Sequence, residues 1–262
     1  MTTPATLPRR AWVEQIMGLP VSVTLRGPQL HDDRVQNRVN HIFADLRHAE
    51  AVFSTYRDDS DLSRWQRAEL TGDDADPTLL EVLALCEEAR ERTDGWFDFR
   101  DLPDPRTGTP RIDPAGLVKG WAVQRAAKHL AGLSGHGWCI NAGGDVTVAS
   151  PAGHPPWRIG VEDPNDPRRI LQVLSVAGGA VATSGSAHRG AHIIDPHTGR
   201  PATAVRSASV VGPSLMWADV YATAAVARGP AALRWLADLD GYEAMLVDRL
   251  GTVTTTQGWP PV

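Results

Sequence analysis

Two side chains in the second half of the chain have the types and spacing for proton transfer. His192 and Asp195 flank two isoleucines in VATSGSAHRGAHIIDPHTGRP (Val181 to Pro201), where Pro196 and Gly199 then force a turn. A carboxylate near an imidazole holds its tautomer and raises its basicity, so such a histidine can act as a base. The same pair can equally do no more than cap the turn. A second pair, Asp219 and Thr223 in WADVYATAA, lies four residues apart, which on a helix puts a carboxylate and a hydroxyl on one face. Two hard oxygen donors suit Mg²⁺, which is rarely caged by protein alone, although this spacing also arises often by chance. A third segment, IDPAGLVKGWAVQR (Ile112 to Arg125), runs a glycine-bearing turn into a helix with Lys119 in its first turn. Backbone N–H groups there, with a lysine beside them, could hold a phosphate. The GxxxxGK[ST] spacing is absent, and a packed corner with a solvated lysine is the other reading. In NAGGDVTV (Asn141 to Val148) two glycines interrupt a strand pattern, marking a bulge or a close approach of ligand to backbone. Polar residues also crowd FSTYRDDSDLSRW (Phe53 to Trp65) and TDGWFD (Thr93 to Asp98). His31, His41, His48, His129, His136 and His154 have no such company and read as surface or linker residues.

These segments need a scaffold. VSVTLR (Val21 to Arg26) alternates apolar and polar residues as a half-buried strand does. From Asp33 to Phe53 the apolar residues Val35, Val39, Ile42, Phe43, Leu46, Ala49 and Phe53 recur at steps of three and four, which predicts an amphipathic helix. A second helix opens at Asp76-Pro77, an N-cap followed by proline in the first turn, and stops before Gly95. Its apolar side is Leu79, Leu83 and Cys86, with Leu80 beside them. A third runs from about Gly116 to Leu130. Strands are expected at Gly137 to Ala149, Trp157 to Val161, Leu171 to Val176, Ala180 to Thr183 and Ala208 to Val211. Helices Ser214 to Ala227 and Pro230 to Leu239 follow, then strands Ala244 to Val247 and Thr252 to Thr256. Strand pairs mix with helices without regular alternation, so the fold class expected is α+β. Residues 1–10 read as a flexible tail and residues 11–262 as a single domain.

Composition narrows the function. The 262 residues carry a formal net charge of -5 and a pI near 6.0, so no basic footprint argues for nucleic acid. No apolar stretch approaches the ~18 residues of a membrane span. Two cysteines, Cys86 and Cys139, make neither a disulfide framework nor a zinc site. With no export signal visible at the start, a reduced cytoplasmic setting is the expectation.

Taken in order, Met17-Gly18, FSTYRDDSDLSRW, DGWFD, DPAGLVKGWAVQR, NAGGD, ATSG, HIIDPHTGRP and ADVYATA resemble the ApbE family of FAD:protein FMN transferases, over about residues 16–228. The resemblance implies an α+β fold, FAD as donor, a divalent metal (usually Mg²⁺) and transfer of FMN to a threonine or serine of an acceptor flavoprotein, with AMP released. It implies Asp219, Thr223 and the backbone carbonyl of Gly116 as metal ligands. His192 would deprotonate the acceptor hydroxyl, and Asp195 would orient it or contact the flavin. Met17 and Tyr56 would lie near the adenosine end of FAD, and Phe97, Asp98, Asp113 and Lys119 against flavin or phosphates. Asn141, Gly143, Gly144 and Asp145 would back them, with Thr183 and Ser184 also on the cofactor. The chain departs from the family pattern in places. Only 14 residues separate Asp98 from Asp113, the loop from Gly185 to His192 is short, and Ala191 stands where a second histidine is common. These departures bear on the acceptor-docking surface and the flavin-ring pocket. An FAD pyrophosphatase, with water in place of the acceptor, and a flavin-binding protein without turnover are the competing readings.

Overall fold

The computed structural model describes residues 7–104, 107–187, 190 and 192–261. The chain begins with the hairpin β1 (Arg9–Ile16) and β2 (Leu19–Arg26), then α1 (Asp33–Phe53), α2 (Asp61–Gln66) and α3 (Pro77–Arg92). A short pair, β3 (Leu102–Pro103) and β4 (Pro110–Arg111), precedes α4 (Ala115–Ala127). Next come β5 (Gly137–Ala142), β6 (Asp145–Ala149), β7 (Trp157–Asp163), β8 (Asp166–Val176) and β9 (Gly178–Gly185). A second short pair, β10 (Ile194–Asp195) and β11 (Arg200–Pro201), leads to β12 (Val205–Gly212) and α5 (Leu215–Arg228). The last elements are α6 (Ala232–Ala237), β13 (Glu243–Asp248) and β14 (Val253–Thr255).

One antiparallel sheet of eight strands, in the order β1-β2-β5-β6-β9-β12-β13-β14, forms the platform. Side chains alternate across it with period two. Val21, Val23, Leu25, Ile140, Ala142, Ala180, Ala182, Ala208, Val210, Ala244 and Leu246 face the helices and make the main core with them. The intervening residues Val146, Val148, Val181 and Met245 point the other way, where the β7–β8 hairpin covers them with Trp157, Val161, Leu174 and Val176. Helices lie on one face and a β-hairpin on the other, so the α+β expectation holds.

The apolar stripe of α1 is buried as its spacing requires: Val35, Val39, Ile42, Phe43, Leu46, Ala49, Val52 and Phe53. In α3 the buried side is Leu79, Val82, Cys86 and Ala89, whereas Leu80 is exposed and Leu83 only partly buried. The expected strand Gly137 to Ala149 is two strands. Gly143 (φ +61°) and Gly144 (φ +102°) form a two-residue hairpin turn in which both residues adopt positive φ, a geometry glycine enters without a Cβ clash. They therefore mark a turn and not a bulge. The expected tail is shortened as well, because β1 begins at Arg9 and pairs Arg9 with Arg26. Residues 1–6 lie outside the described residues. Among the described residues, no helix is long and apolar enough to cross a membrane.

Candidate functional site

Helices α4 and α5 cross at Gly120, where an added Cβ would stand 2.9 Å from the Met216 Cα and 3.2 Å from the Asp219 Cβ. The glycine lets the two backbones approach, and this closeness brings Lys119 of α4 against Asp219 of α5. The Lys119 ammonium pairs with Asp145 Oδ2 and lies 3.5 Å from Asp219 Oδ1. Asp145 heads β6 on the helix-facing side, and its Oδ1 accepts the Thr183 N–H at 3.0 Å. Both carboxylates are almost wholly removed from water, at 1% and 3% side-chain exposure. Asp219 Oδ2 is buried and accepts no hydrogen bond. Burial pushes the Asp219 carboxyl up to about 7, with the Lys119 charge pulling it down and the Asp145 charge pushing it further up.

One turn along α5, the Thr223 hydroxyl lies 2.9 Å from that of Ser184, which β9 directs toward the helices. Gly116 opens α4 nearby: a Cβ there would meet the Thr223 Cγ2 at 3.9 Å and the buried Phe97 ring at 3.0 Å. The fold thus gathers Phe97, Gly116, Lys119, Asp145, Ser184, Asp219 and Thr223, which come from separate stretches of sequence.

Other expected residues are placed differently. The Thr183 side chain shares a sheet face with Val181, away from the helices, and its hydroxyl bonds that of Ser209 at 2.8 Å. Asp98 is held by Arg90 and Arg100. Asp113 accepts the Ala115 N–H at 3.0 Å, capping α4, and pairs with Arg111. Asn141 accepts the Gly144 N–H at 2.9 Å and so closes the glycine turn. Met17 (φ +54°) lies in the β1–β2 turn, where its N–H donates to Glu50. Tyr56 is 73% exposed. His192 is exposed too, with Nδ1 3.1 Å from the Gly190 carbonyl oxygen. Asp195 accepts the His197 N–H at 2.9 Å, the turn-capping geometry, and no hydrogen bond joins it to His192 among the described residues. Ala191 lies outside the described residues.

Three groups were not singled out from the sequence. His197 packs edge-on against Trp96, with ring centroids 4.3 Å apart, tying the β10–β11 turn to the DGWFD loop. Arg228, at the end of α5, pairs with Asp94 in the same loop. Arg111 bridges Asp104, Asp113 and the Thr55 carbonyl from a side chain only 10% exposed. Both quoted motifs contained the first contact, yet no local spacing shows that residues this far apart in the chain meet.

A divalent cation fits this chemistry. A buried carboxylate oxygen without a donor is costly, and Asp219 Oδ2 presents that oxygen one helical turn from the Thr223 hydroxyl. No group of three or more His, Cys, Asp or Glu able to hold a metal occurs among the described residues. A donor set of one carboxylate with neutral oxygens suits Mg²⁺ completed by substrate phosphates and is a poor match for zinc.

An antiparallel platform with a one-sided helical layer carries, at a helix crossing, two buried carboxylates that share one ammonium and leave one carboxylate oxygen open. The chain belongs to the ApbE family, whose profile matches residues 17–103 and 104–246. It is similar to the FAD:protein FMN transferase of Vibrio cholerae (33% identical over 129 residues, 45% of this chain and 39% of that protein). Against the FAD:protein FMN transferase of Escherichia coli K12 it is 26% identical over 163 residues, 58% of this chain and 45% of that protein. The matched stretch therefore spans less than half the length of these curated relatives. Among solved structures, the ApbE protein of Thermotoga maritima superimposes with a TM-score of 0.79 at 22% identity, covering 95% of this chain and 97% of that one. The flavin transferase ApbE of Vibrio cholerae gives 0.80 at 21% identity, over 96% and 98%. Likeness at these identities concerns the fold.

Proposed function

We propose that the protein transfers FMN from FAD to a threonine or serine hydroxyl of an acceptor flavoprotein, with AMP as the leaving group and Mg²⁺ as cofactor. The observation that carries this reading is the open, buried Oδ2 of Asp219 beside the Lys119 ammonium and one turn from the Thr223 hydroxyl. Asp219, Thr223 and the Gly116 carbonyl would hold the cation, which supplies charge neutralisation on the pyrophosphate oxygens when bound. Lys119 adds a fixed positive charge from α4. The acceptor oxygen forms a bond to the FMN-side phosphorus, the bond from that phosphorus to AMP breaks, and the hydroxyl proton passes to His192. An exposed imidazole suits this role, because the nucleophile arrives on another protein. Asp195 caps the β10–β11 turn just after His192 in the chain and would orient that histidine or contact the flavin in this reading. Met17, Tyr56, Phe97, Asp98, Asp113, Asn141, Gly143, Gly144 and Ser184 complete the FAD site in this reading, with Thr183 contributing through its backbone N–H to Asp145 and not its side chain. Cys86 and Cys139 are unpaired, which suits a reducing cytoplasm.

The test is incubation of the protein with FAD and Mg²⁺, with and without an acceptor flavoprotein domain. Acceptor mass is read by mass spectrometry while AMP and free FMN are quantified. A gain of one FMN, lost with chelator or in Asp219→Ala and reduced by about 10²–10⁴-fold in His192→Ala, is the expected result. AMP and free FMN without a labelled acceptor would replace transfer by FAD hydrolysis. Tight FAD binding with neither product would leave a flavin-binding protein.

A further inference from the structure

The two buried carboxylates use their oxygens unequally. Asp145 has both engaged, Oδ1 by the Thr183 N–H at 3.0 Å and Oδ2 by the Lys119 ammonium. Asp219 has one oxygen 3.5 Å from that ammonium and the other without a partner. Lys119 therefore pairs most closely with Asp145 and interacts more loosely with Asp219, while its side chain keeps 21% exposure. The ammonium is thus held against the same carboxylate that carries the open oxygen.

We infer that Asp145 is a positioning residue that tethers Lys119 next to Asp219, so that a divalent cation binds firmly at Asp219 only together with an anion bearing a diphosphate. The inference rests on the function proposed above. A cation reaching Asp219 meets a fixed ammonium 3.5 Å from its ligand carboxylate, in surroundings where charges are screened far less than in water. A diphosphate removes that repulsion, because its oxygens face both cations. Linkage then requires each ligand to strengthen the other's binding by the same factor. The tether also gives the effect a direction. Without the Asp145 charge the ammonium settles on Asp219 and contests the cation site; without the ammonium the cation meets no competitor.

Mn²⁺ binding to the intact protein, followed by electron paramagnetic resonance of free Mn²⁺, tests this with ADP as a diphosphate that cannot donate FMN. Affinities are corrected for Mn²⁺–ADP formed in solution. The wild-type protein is expected to bind Mn²⁺ at least about tenfold more tightly with saturating ADP, a coupling within the usual allosteric range. Lys119→Met should bind Mn²⁺ at least about threefold more tightly than wild type without ADP, with the coupling at least about threefold smaller than wild type. Asp145→Asn should shift Mn²⁺ affinity the opposite way, about threefold weaker. The double variant removes one charge of each sign and so keeps the pocket balanced. It should regain at least wild-type Mn²⁺ affinity, with coupling at least about threefold smaller than wild type, and it answers the question even where Lys119→Met does not fold. Unchanged coupling in Lys119→Met or the double variant, or single variants that shift Mn²⁺ binding in the same direction, overturns the inference alone. Absence of any Mn²⁺ binding that Asp219→Ala abolishes, with ADP present, overturns the proposed metal site and this inference together.

Discussion

Replacing Gly120 by alanine tests whether the α4–α5 crossing is as tight as the site requires. The added methyl carbon would sit 2.9 Å from the Met216 Cα, 3.1 Å from the Leu215 carbonyl oxygen and 3.2 Å from the Asp219 Cβ. Ordinary carbon–carbon contact is about 3.5–4.0 Å, so the helices must part by roughly half an ångström or more. Two of the three obstructing atoms belong to the α5 backbone, and no rotamer change relieves them. Overpacking of this kind costs about 1–3 kcal/mol, and backbone obstruction places this case near the top. Alanine in a helix recovers about 1 kcal/mol relative to glycine. The net expectation is a loss of about 2 kcal/mol, a fall in Tm of roughly 4–8 °C for a domain of this size. Urea denaturation with an unchanged m-value reads it directly. Gly116→Ala is the control: its nearest obstruction at 3.0 Å is the edge of the Phe97 ring, a side chain that can give, so its cost should stay below about 1 kcal/mol. A Gly120→Ala protein as stable as wild type, or more so, would mean that helix propensity decides the outcome and that the crossing is looser than described.

Four further outcomes are expected. Burial raises the Asp98 carboxyl, but the hydrogen bonds and charges of Arg100 and Arg90 outweigh it and hold the group below its ordinary value. Its stabilisation is thus complete above about pH 4 and lost as pH falls. Asp98→Asn should be less stable at pH 7 by urea denaturation, with the gap narrowing below about pH 4. Burial pushes the Cys139 thiol up to about 11 and that of Cys86 further still, so neither should react with a thiol reagent at about pH 8 until the chain is unfolded; rapid native labelling would contradict this. Ser60, fully buried, accepts the Ser63 N–H at 3.1 Å and donates to the Ser54 carbonyl at 2.7 Å, so Ser60→Ala should cost about 1–2 kcal/mol in denaturation. His197→Ala should cost about 1 kcal/mol through the lost edge contact to Trp96, and His197→Phe should restore most of it.

What could be read from the chain without coordinates was whatever a single element displays. The stripe of α1 runs over contiguous residues, and the structure gives that helix the bounds Asp33–Phe53 that the periodicity predicts. The Asp219–Thr223 pair was legible for the same reason, since four residues on one helix fix a shared face. Strand β1 was missed because it runs along the sheet edge with its pattern inverted. Val13 is exposed, while Arg10 and Trp12 turn toward Gln36 of α1 and bond it. The chemistry of the cluster was the least legible part. Asp145 was placed behind the cofactor by resemblance alone, and its grip on Lys119 crosses 26 positions of sequence. That contact depends on β6 following β5 through a turn closed by Gly143 and Gly144, which delivers the first residue of β6 to the helix-facing side. It depends equally on Gly120, which lets α5 approach until Asp219 reaches the same ammonium. The oxygen that Asp219 leaves open is therefore a product of sheet register and helix spacing together. A substitution at the turn or at the crossing should disturb it as surely as one at Asp219 itself.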